Sequence, residues 1–159
     1  MIKKALILVS LLFSVHFVFG QYVFMKKYTG IDIGAGYRTI GDDKPGVTVN
    51  IERGILQIRR VGAIAVGLRT NVLFDIAGDD DLESSATLRT TYHVGLFRTK
   101  IVDLYTGVGF AFDFTDNGIH PDTFVGARYK FDKHSKFAFF TEVAYYGTNY
   151  NAGLSMILN

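Results

Sequence analysis

The chain contains no cysteine and no tryptophan. Without cysteine no disulfide can staple the fold, so an exported form of this protein needs another stabilising device. The thiol that lipoprotein signals acylate is missing for the same reason. Without tryptophan, any aromatic girdle at a membrane–water interface has to come from the nine tyrosines and 14 phenylalanines. Beyond residue 20 no hydrophobic stretch reaches the length of a spanning helix, which leaves a closed β-barrel as the way this chain could cross a bilayer. An excess of one charge is lacking too. There are 17 lysines and arginines against 15 aspartates and glutamates, and setting aside Lys3 and Lys4 leaves the two equal. That balance excludes the concentrated basic surface that nucleic-acid binding requires.

Lys3 and Lys4 belong to a leader. An apolar run over 5–19 follows them, interrupted only by Ser10, Ser14 and His16. Val18 and Gly20 then occupy the −3 and −1 positions of a cleavage site before Gln21. The pattern is that of a secretory signal peptide, and the run is too short for an anchor. The expected organisation is a signal peptide at 1–20 and one β-barrel domain over 21–159.

The clearest periodicity in that domain lies at 102–114. One face carries Val102, Leu104, Thr106, Val108, Phe110, Phe112 and Phe114, and the other Asp103, Tyr105, Gly107, Gly109, Ala111 and Asp113. Large apolar residues on one face and glycine, alanine and charge on the other suit a narrow barrel with its apolar face outward, towards lipid. The same two-faced alternation predicts strands over 28–40, 47–53, 61–76, 86–97, 102–114, 123–131, 137–146 and 150–158. A linker is expected near 54–60, and turns or loops at 41–46, 77–85, 98–101, 115–122, 132–136 and 147–149. An even number of strands with constant parity fits an all-β, eight-stranded antiparallel up-and-down transmembrane barrel. Aromatic residues gather near strand ends: Tyr37, Phe74, Phe112, Phe114, Tyr145 and Tyr150 at one rim, and Phe97, Phe131 and Phe137 at the other.

Four segments resemble the strands of a known group. Pro45-Gly46-Val47-Thr48-Val49-Asn50-Ile51-Glu52 is similar to its second strand and Leu104-Tyr105-Thr106-Gly107-Val108-Gly109-Phe110 to its fifth. Phe124-Val125-Gly126-Ala127-Arg128-Tyr129-Lys130-Phe131 is similar to its sixth, and Ala152-Gly153-Leu154-Ser155-Met156 to its last. The group is that of the small outer-membrane β-barrel proteins of Gram-negative bacteria, the OmpA/OmpX-like eight-stranded barrels. The resemblance is architectural and implies no catalytic residues. It implies outer-membrane localisation, contact with outer-membrane lipid, and periplasmic chaperones and barrel-insertion machinery as partners during assembly. Members of the group usually end on an aromatic residue, whereas this chain ends Ile157-Leu158-Asn159.

The inward faces collect Asp32, Glu52, Asp103 and Glu142 against Arg38, Arg69, Arg89, Arg128 and Lys130. Buried charges must be paired or wet. The candidate site is therefore a lumenal charge network of Asp32, Arg38, Glu52, Arg69, Arg89, Arg128 and Glu142. Glu142 is expected to pair with Arg128 or another inward arginine. Eight strands leave room for little beyond side chains, so a plug is favoured over the selectivity ring of a narrow pore.

Other clusters carry less. Asp79, Asp80, Asp81 and Glu83 lack the alternation of a calcium loop and read as a solvated acidic loop. Asp113, Asp116, His120 and Asp122 surround Asn117-Gly118 and read as a hairpin loop. An outer-membrane lipid hydrolase is the enzymatic alternative. It would need a base, an orienting acid and a nucleophile, and the sequence places neither acid nor serine beside inward-facing His93, while His134-Ser135 sits in a short turn. A soluble lipocalin-like carrier would need the opposite parity, apolar inside and polar outside. The expectation is a non-enzymatic barrel without cofactor or metal, structural or interacting through its loops.

Overall fold

The computed structural model describes residues 23–39, 43–58, 61–75, 82–95 and 100–159. The leader read at 1–20 lies outside them, as do Asp79, Asp80, Asp81, Phe97 and parts of the connections at 41–46, 54–60, 77–85 and 98–101. The described chain forms β1 (Thr29–Arg38), β2 (Lys44–Ile58), β3 (Gly62–Leu73), β4 (Glu83–Val94), β5 (Val102–Asp113), β6 (Ile119–Lys130), β7 (Phe137–Ala144) and β8 (Tyr150–Leu158). Each strand pairs antiparallel with the next, and β8 returns to pair with β1 from Tyr37↔Tyr150 to Thr29↔Leu158. This is the closed, eight-stranded up-and-down barrel that the alternation implied. Closure gives every strand two neighbours and removes the open edge through which sheets aggregate. The end of the barrel at which β1 finishes is its upper end, and the end at which it begins is its lower end.

Three strands depart from the sequence reading; the fourth begins at Glu83, inside the loop expected at 77–85, and ends at Val94. The second is 15 residues long, so the segment taken as a linker near 54–60 is strand as far as Ile58. A bulge between Gly54 and Leu56 shifts the register against β3, and Ile55 and Leu56 both face outward. One extra residue inverts the parity of everything after it, and so hides the strand from an alternation count. The sixth begins at Ile119, four residues earlier than the alternation suggested. Pro121 and the Asn117-Gly118 pair made that stretch look like loop. Pro121 pairs with Phe110 on β5, but β7 joins β6 only from Phe124 onward. Residues 119–122 thus stand above the shorter β7, outside its ladder, where a missing N–H costs no ladder bond.

The outward face is apolar around the whole circumference. Ile33, Leu68, Leu88, Val108, Val125 and Leu154 are each more than half exposed. The register joins them into a belt through the pairs Ile33↔Leu154, Ile51↔Leu68, Leu68↔Leu88, Leu88↔Phe110 and Val125↔Val143. Tyr37, Phe74, Phe112, Phe114, Tyr145 and Tyr150 ring its upper margin, and Tyr129, Phe131 and Phe137 mark the lower one. Inside, small residues make space for large ones. Gly126 lies opposite Tyr105, whose ring occupies the position a Cβ would need, with ring atoms 2.4–2.7 Å from it. Gly126→Val should displace that ring and destabilise the barrel by about 1–3 kcal/mol, measured by urea titration of the folded protein. A variant as stable as the parent would mean that Tyr105 has room to move.

Candidate functional site

Alternation sends every second side chain into a lumen too narrow for bulk water, and what arrives there is largely charged. Among the described residues, Asp32, Glu52, Asp103, Asp122 and Glu142 face Arg69, Arg89, Arg128 and His93, and none is more than 5% exposed. They sort into two tiers. In the upper tier Glu142 of β7 is shared by Arg69 of β3, at 2.7 Å, and Arg89 of β4, at 2.6 Å. Arg69 also reaches Asp122 at 3.1 Å and donates to the Tyr146 carbonyl at 2.8 Å.

In the lower tier Arg128 of β6 meets three carboxylates from three strands. It contacts Asp32 at 2.6 Å, Glu52 at 2.5 Å and Asp103 at 3.2 Å. Asn50 donates to Asp32 at 2.8 Å. The His93 ring lies between Asp103, 2.9 Å from Nδ1, and Glu52, 3.5 Å from Nε2. Two aromatic rings join the tiers. The Arg128 guanidinium lies over Tyr105 at 4.6 Å, and the Arg89 guanidinium over Phe124 at 3.4 Å. Planar guanidinium suits both contacts, since it stacks on rings and forks to carboxylates.

Both ends of the barrel fold inward over this network. At the lower end residues 23–28 turn back against β2. The Lys27 N–H donates to the Gly54 carbonyl at 2.8 Å, and the Gly54 N–H to that of Tyr28 at 2.9 Å. This approach needs glycine, because a Cβ on Gly54 would lie 2.3 Å from the Met25 carbonyl oxygen. The turn inserts Phe24 into the lumen, stacked on His93 with ring centroids 4.0 Å apart. At the upper end the β7–β8 connection bends in. Gly147 adopts a left-handed φ of +73°, and Thr148 and Asn149 become buried. Thr148 Oγ1 sits 3.0 Å from Asn71 Oδ1 and 2.5 Å from Asn151 Oδ1. The Tyr146 N–H donates to Asp122 at 3.0 Å, and its hydroxyl to Asp113 at 2.6 Å.

The sequence-derived residues fall into three places. Asp32, Glu52 and Arg128 meet in the lower tier, and Arg69, Arg89 and Glu142 in the upper. The pairing considered between Glu142 and Arg128 is not made; Glu142 instead reaches across the lumen to β3 and β4. Arg38 joins neither tier. It bridges the upper mouth from β1 to Glu83 of β4 at 2.5 Å, where Lys44 meets the same carboxylate at 2.6 Å. Lys130 sits at the lower rim and donates to the Lys133 carbonyl at 3.3 Å.

Asp122 and His93 belong to the network although the sequence reading left them out. Asp122 was assigned to a loop because Pro121 precedes it. Its signal was its parity with Phe124 and Arg128. His93 lacked an acid by sequence, and the β4–β5 register supplies Asp103. His120 stacks on Tyr146 and reaches Asp116 at 3.2 Å. Among the described residues no group of three or more His, Asp or Glu side chains is arranged to hold a metal ion.

The His93–Asp103 pair has the form of a base with its orienting acid. The other ring nitrogen faces Glu52 at 3.5 Å rather than a hydroxyl, and Phe24 covers the ring face.

No protein-family model and no curated protein matches this chain. Among solved structures it is similar to one described as the de novo design of transmembrane β-barrels, with 14% identity and a TM-score of 0.60 over 85% of this chain and 98% of that one. That likeness concerns the fold.

Removing one member of a shared buried pair leaves the others unpaired. Glu142→Gln should cost about 3–5 kcal/mol, since it takes the carboxylate from Arg89 and leaves Arg69 with Asp122 alone. A double-mutant cycle with Arg69→Met should give a coupling above about 1 kcal/mol. The cycle with Arg128→Met should give a weaker one, because Arg128 is compensated by Asp32, Glu52 and Asp103. Equal coupling in the two cycles would mean that the tiers act as one cluster.

Proposed function

We propose that this protein is an integral outer-membrane β-barrel of the OmpA/OmpX-like kind from a Gram-negative bacterium. In this reading it is exported by a signal peptide at 1–20 and serves a structural or loop-mediated role without enzymatic activity. The observation that carries the reading is the inversion of the barrel. Large apolar side chains cover its outer wall all round, and the ionised groups are inside. A soluble carrier needs the reverse, and a protein partner would cover one side, whereas lipid covers a belt. The strands, of eight to 15 residues, bracket the length that a tilted spanning strand requires. The margins of Tyr and Phe suit the two interfaces. Fold likeness to a designed transmembrane barrel supports the same reading.

The lumen acts as a plug. Paired charges fill its middle, Phe24 enters from below and Thr148 from above. Interaction then falls to the connections at 41–46, 77–85 and 115–122, which face outside, as does 147–149, if the chain starts in the periplasm. Those at 54–60, 98–101 and 132–136 face the periplasm. Periplasmic chaperones and the insertion machinery are the partners during assembly, and outer-membrane lipid is the partner thereafter.

Three measurements test this. In fractionated cells the folded protein should leave the membrane with detergent and stay with it in high salt; release by salt alone would end the membrane reading. Val108→Arg, at the middle of the belt, should destabilise the barrel in vesicles by about 2–4 kcal/mol, and arginine nearer the rims by less. Folding titrations without depth dependence would contradict the lipid-facing assignment. Because the chain is free of cysteine, a single cysteine reports topology. Asn117→Cys should react with an impermeant thiol reagent on intact cells, and His134→Cys should not. The opposite result would invert the barrel.

A further inference from the structure

The charge balance of the whole chain conceals an asymmetry between the two ends. At the upper end the described cations Arg38 and Lys44 are paired with Glu83. At the lower end Lys100, Lys130, Lys133 and Lys136, together with His134, converge on a hollow of about 220 Å³. No aspartate or glutamate lines it; Asn159 does, and its main-chain carboxylate offsets at most one of the four lysine charges. Among the described residues none of these four lysines forms an ion pair with a carboxylate; Lys130 donates to the Lys133 carbonyl. Asp132 lies in the same turn, but it is absent from the lining, and its carbonyl instead receives the Ser135 N–H at 3.0 Å.

The hollow is held in shape by backbone rather than by flexible side chains. The Lys130 N–H donates to the Ile101 carbonyl at 2.7 Å, which ties β6 to the turn preceding β5. The Ile157 N–H donates to the Lys136 carbonyl at 2.7 Å, which ties the β6–β7 turn to β8. Val23, Tyr28 and Ile157 also line it, and they belong to one apolar cluster with Phe24 and Ala65. Four ammonium groups around one hollow repel one another unless an anion enters. At about 30 Å³ per water molecule, the space takes a tetrahedral oxyanion with part of its hydration shell.

We infer that this lower-rim hollow is a binding site for a phosphate group, a site separate from the lumenal network. Lysine suits the task as a point charge with three freely directed donors. Phe131 and Phe137 stand exposed on the outer wall beside it, at the level where a phospholipid headgroup would lie if the barrel is in a bilayer. A soluble phosphate or diphosphate would offer the same chemistry. The inference extends the membrane reading, and its soluble arm does not depend on it.

The test compares the full-length folded protein with two double variants. Lys133→Gln with Lys136→Gln removes two charges that line the hollow. Lys26→Gln with Lys27→Gln removes two charges from the same end that do not line it. In zwitterionic detergent, pyrophosphate is titrated and followed by phosphorus NMR. In vesicles, unfolding is compared between pure phosphatidylcholine and phosphatidylcholine containing phosphatidylglycerol. The parent should respond saturably in at least one arm. The lining variant should bind more weakly by about fivefold per lysine, or roughly 30-fold, and the control variant should stay close to the parent. A response to pyrophosphate identifies soluble phosphate as a ligand, and a response to the anionic lipid alone identifies the headgroup. No response in either arm, or equal losses in the two variants, would overturn the site, and neither result would bear on whether the barrel spans a membrane.

Discussion

Arg128 holds carboxylates from β1, β2 and β5 at once, and the lower half of the barrel is organised about that charge. A guanidinium taken out of water costs several kcal/mol unless its surroundings return it in ion pairs and hydrogen bonds. Here the return comes from Asp32, Glu52 and Asp103, and from the face of Tyr105. Because the partners lie on different strands, the charge also specifies register. A one-residue slip of β1 or β2 would turn Asp32 or Glu52 outward and leave Arg128 short of a partner. Glu142 performs the equivalent task above, joining β7 to β3 and β4 across the lumen. In a chain without disulfides, these cross-lumen charges link strands that share no ladder.

The irregular parts of the fold serve the same end. The bulge in β2 brings Gly54 where residues 23–28 can dock, and docking places Phe24 on His93. The short β7 leaves the first turns of β6 unsupported on one side, and the β7–β8 connection fills the gap. Tyr146 then binds Asp122, which in turn binds Arg69. Local departures from ideal strand geometry are thus what let each end of the barrel reach its interior. They are also where the sequence was hardest to read, since a bulge inverts the two-residue period and a proline beside Asn117-Gly118 has the composition of a loop.

Legibility followed periodicity. Strands β5 and β8 were readable almost to the residue, because their alternation is unbroken from Val102 to Asp113 and from Tyr150 to Leu158. The inward placement of Asp32, Glu52, Arg69, Arg89, Arg128 and Glu142 was readable for the same reason. Partnership was not. Glu142 neighbours β6 in the sheet, so Arg128 was the natural partner to consider, yet the carboxylate reaches Arg89 and Arg69, three and four strands away in chain order. Arg38 shares the parity of the network, but its height puts it at the mouth, with Glu83. Parity tells which wall a side chain leaves from and is silent about height and about the direction in which a long side chain crosses.

What the sequence by itself determined is the class of structure: strands, their number, which face of each is apolar, the lack beyond residue 20 of a run long enough for a spanning helix, and the impossibility of a disulfide. These follow from the two-residue period and from composition, which need no knowledge of distant contacts. Tertiary structure alone decided the two tiers, the inward folding of Phe24 and Thr148, and the gathering of Lys100 with Lys130, Lys133 and Lys136 around one lower-rim hollow. Each of these depends on how closure staggers eight strands against one another. That stagger is a property of the closed sheet, so no single strand records it.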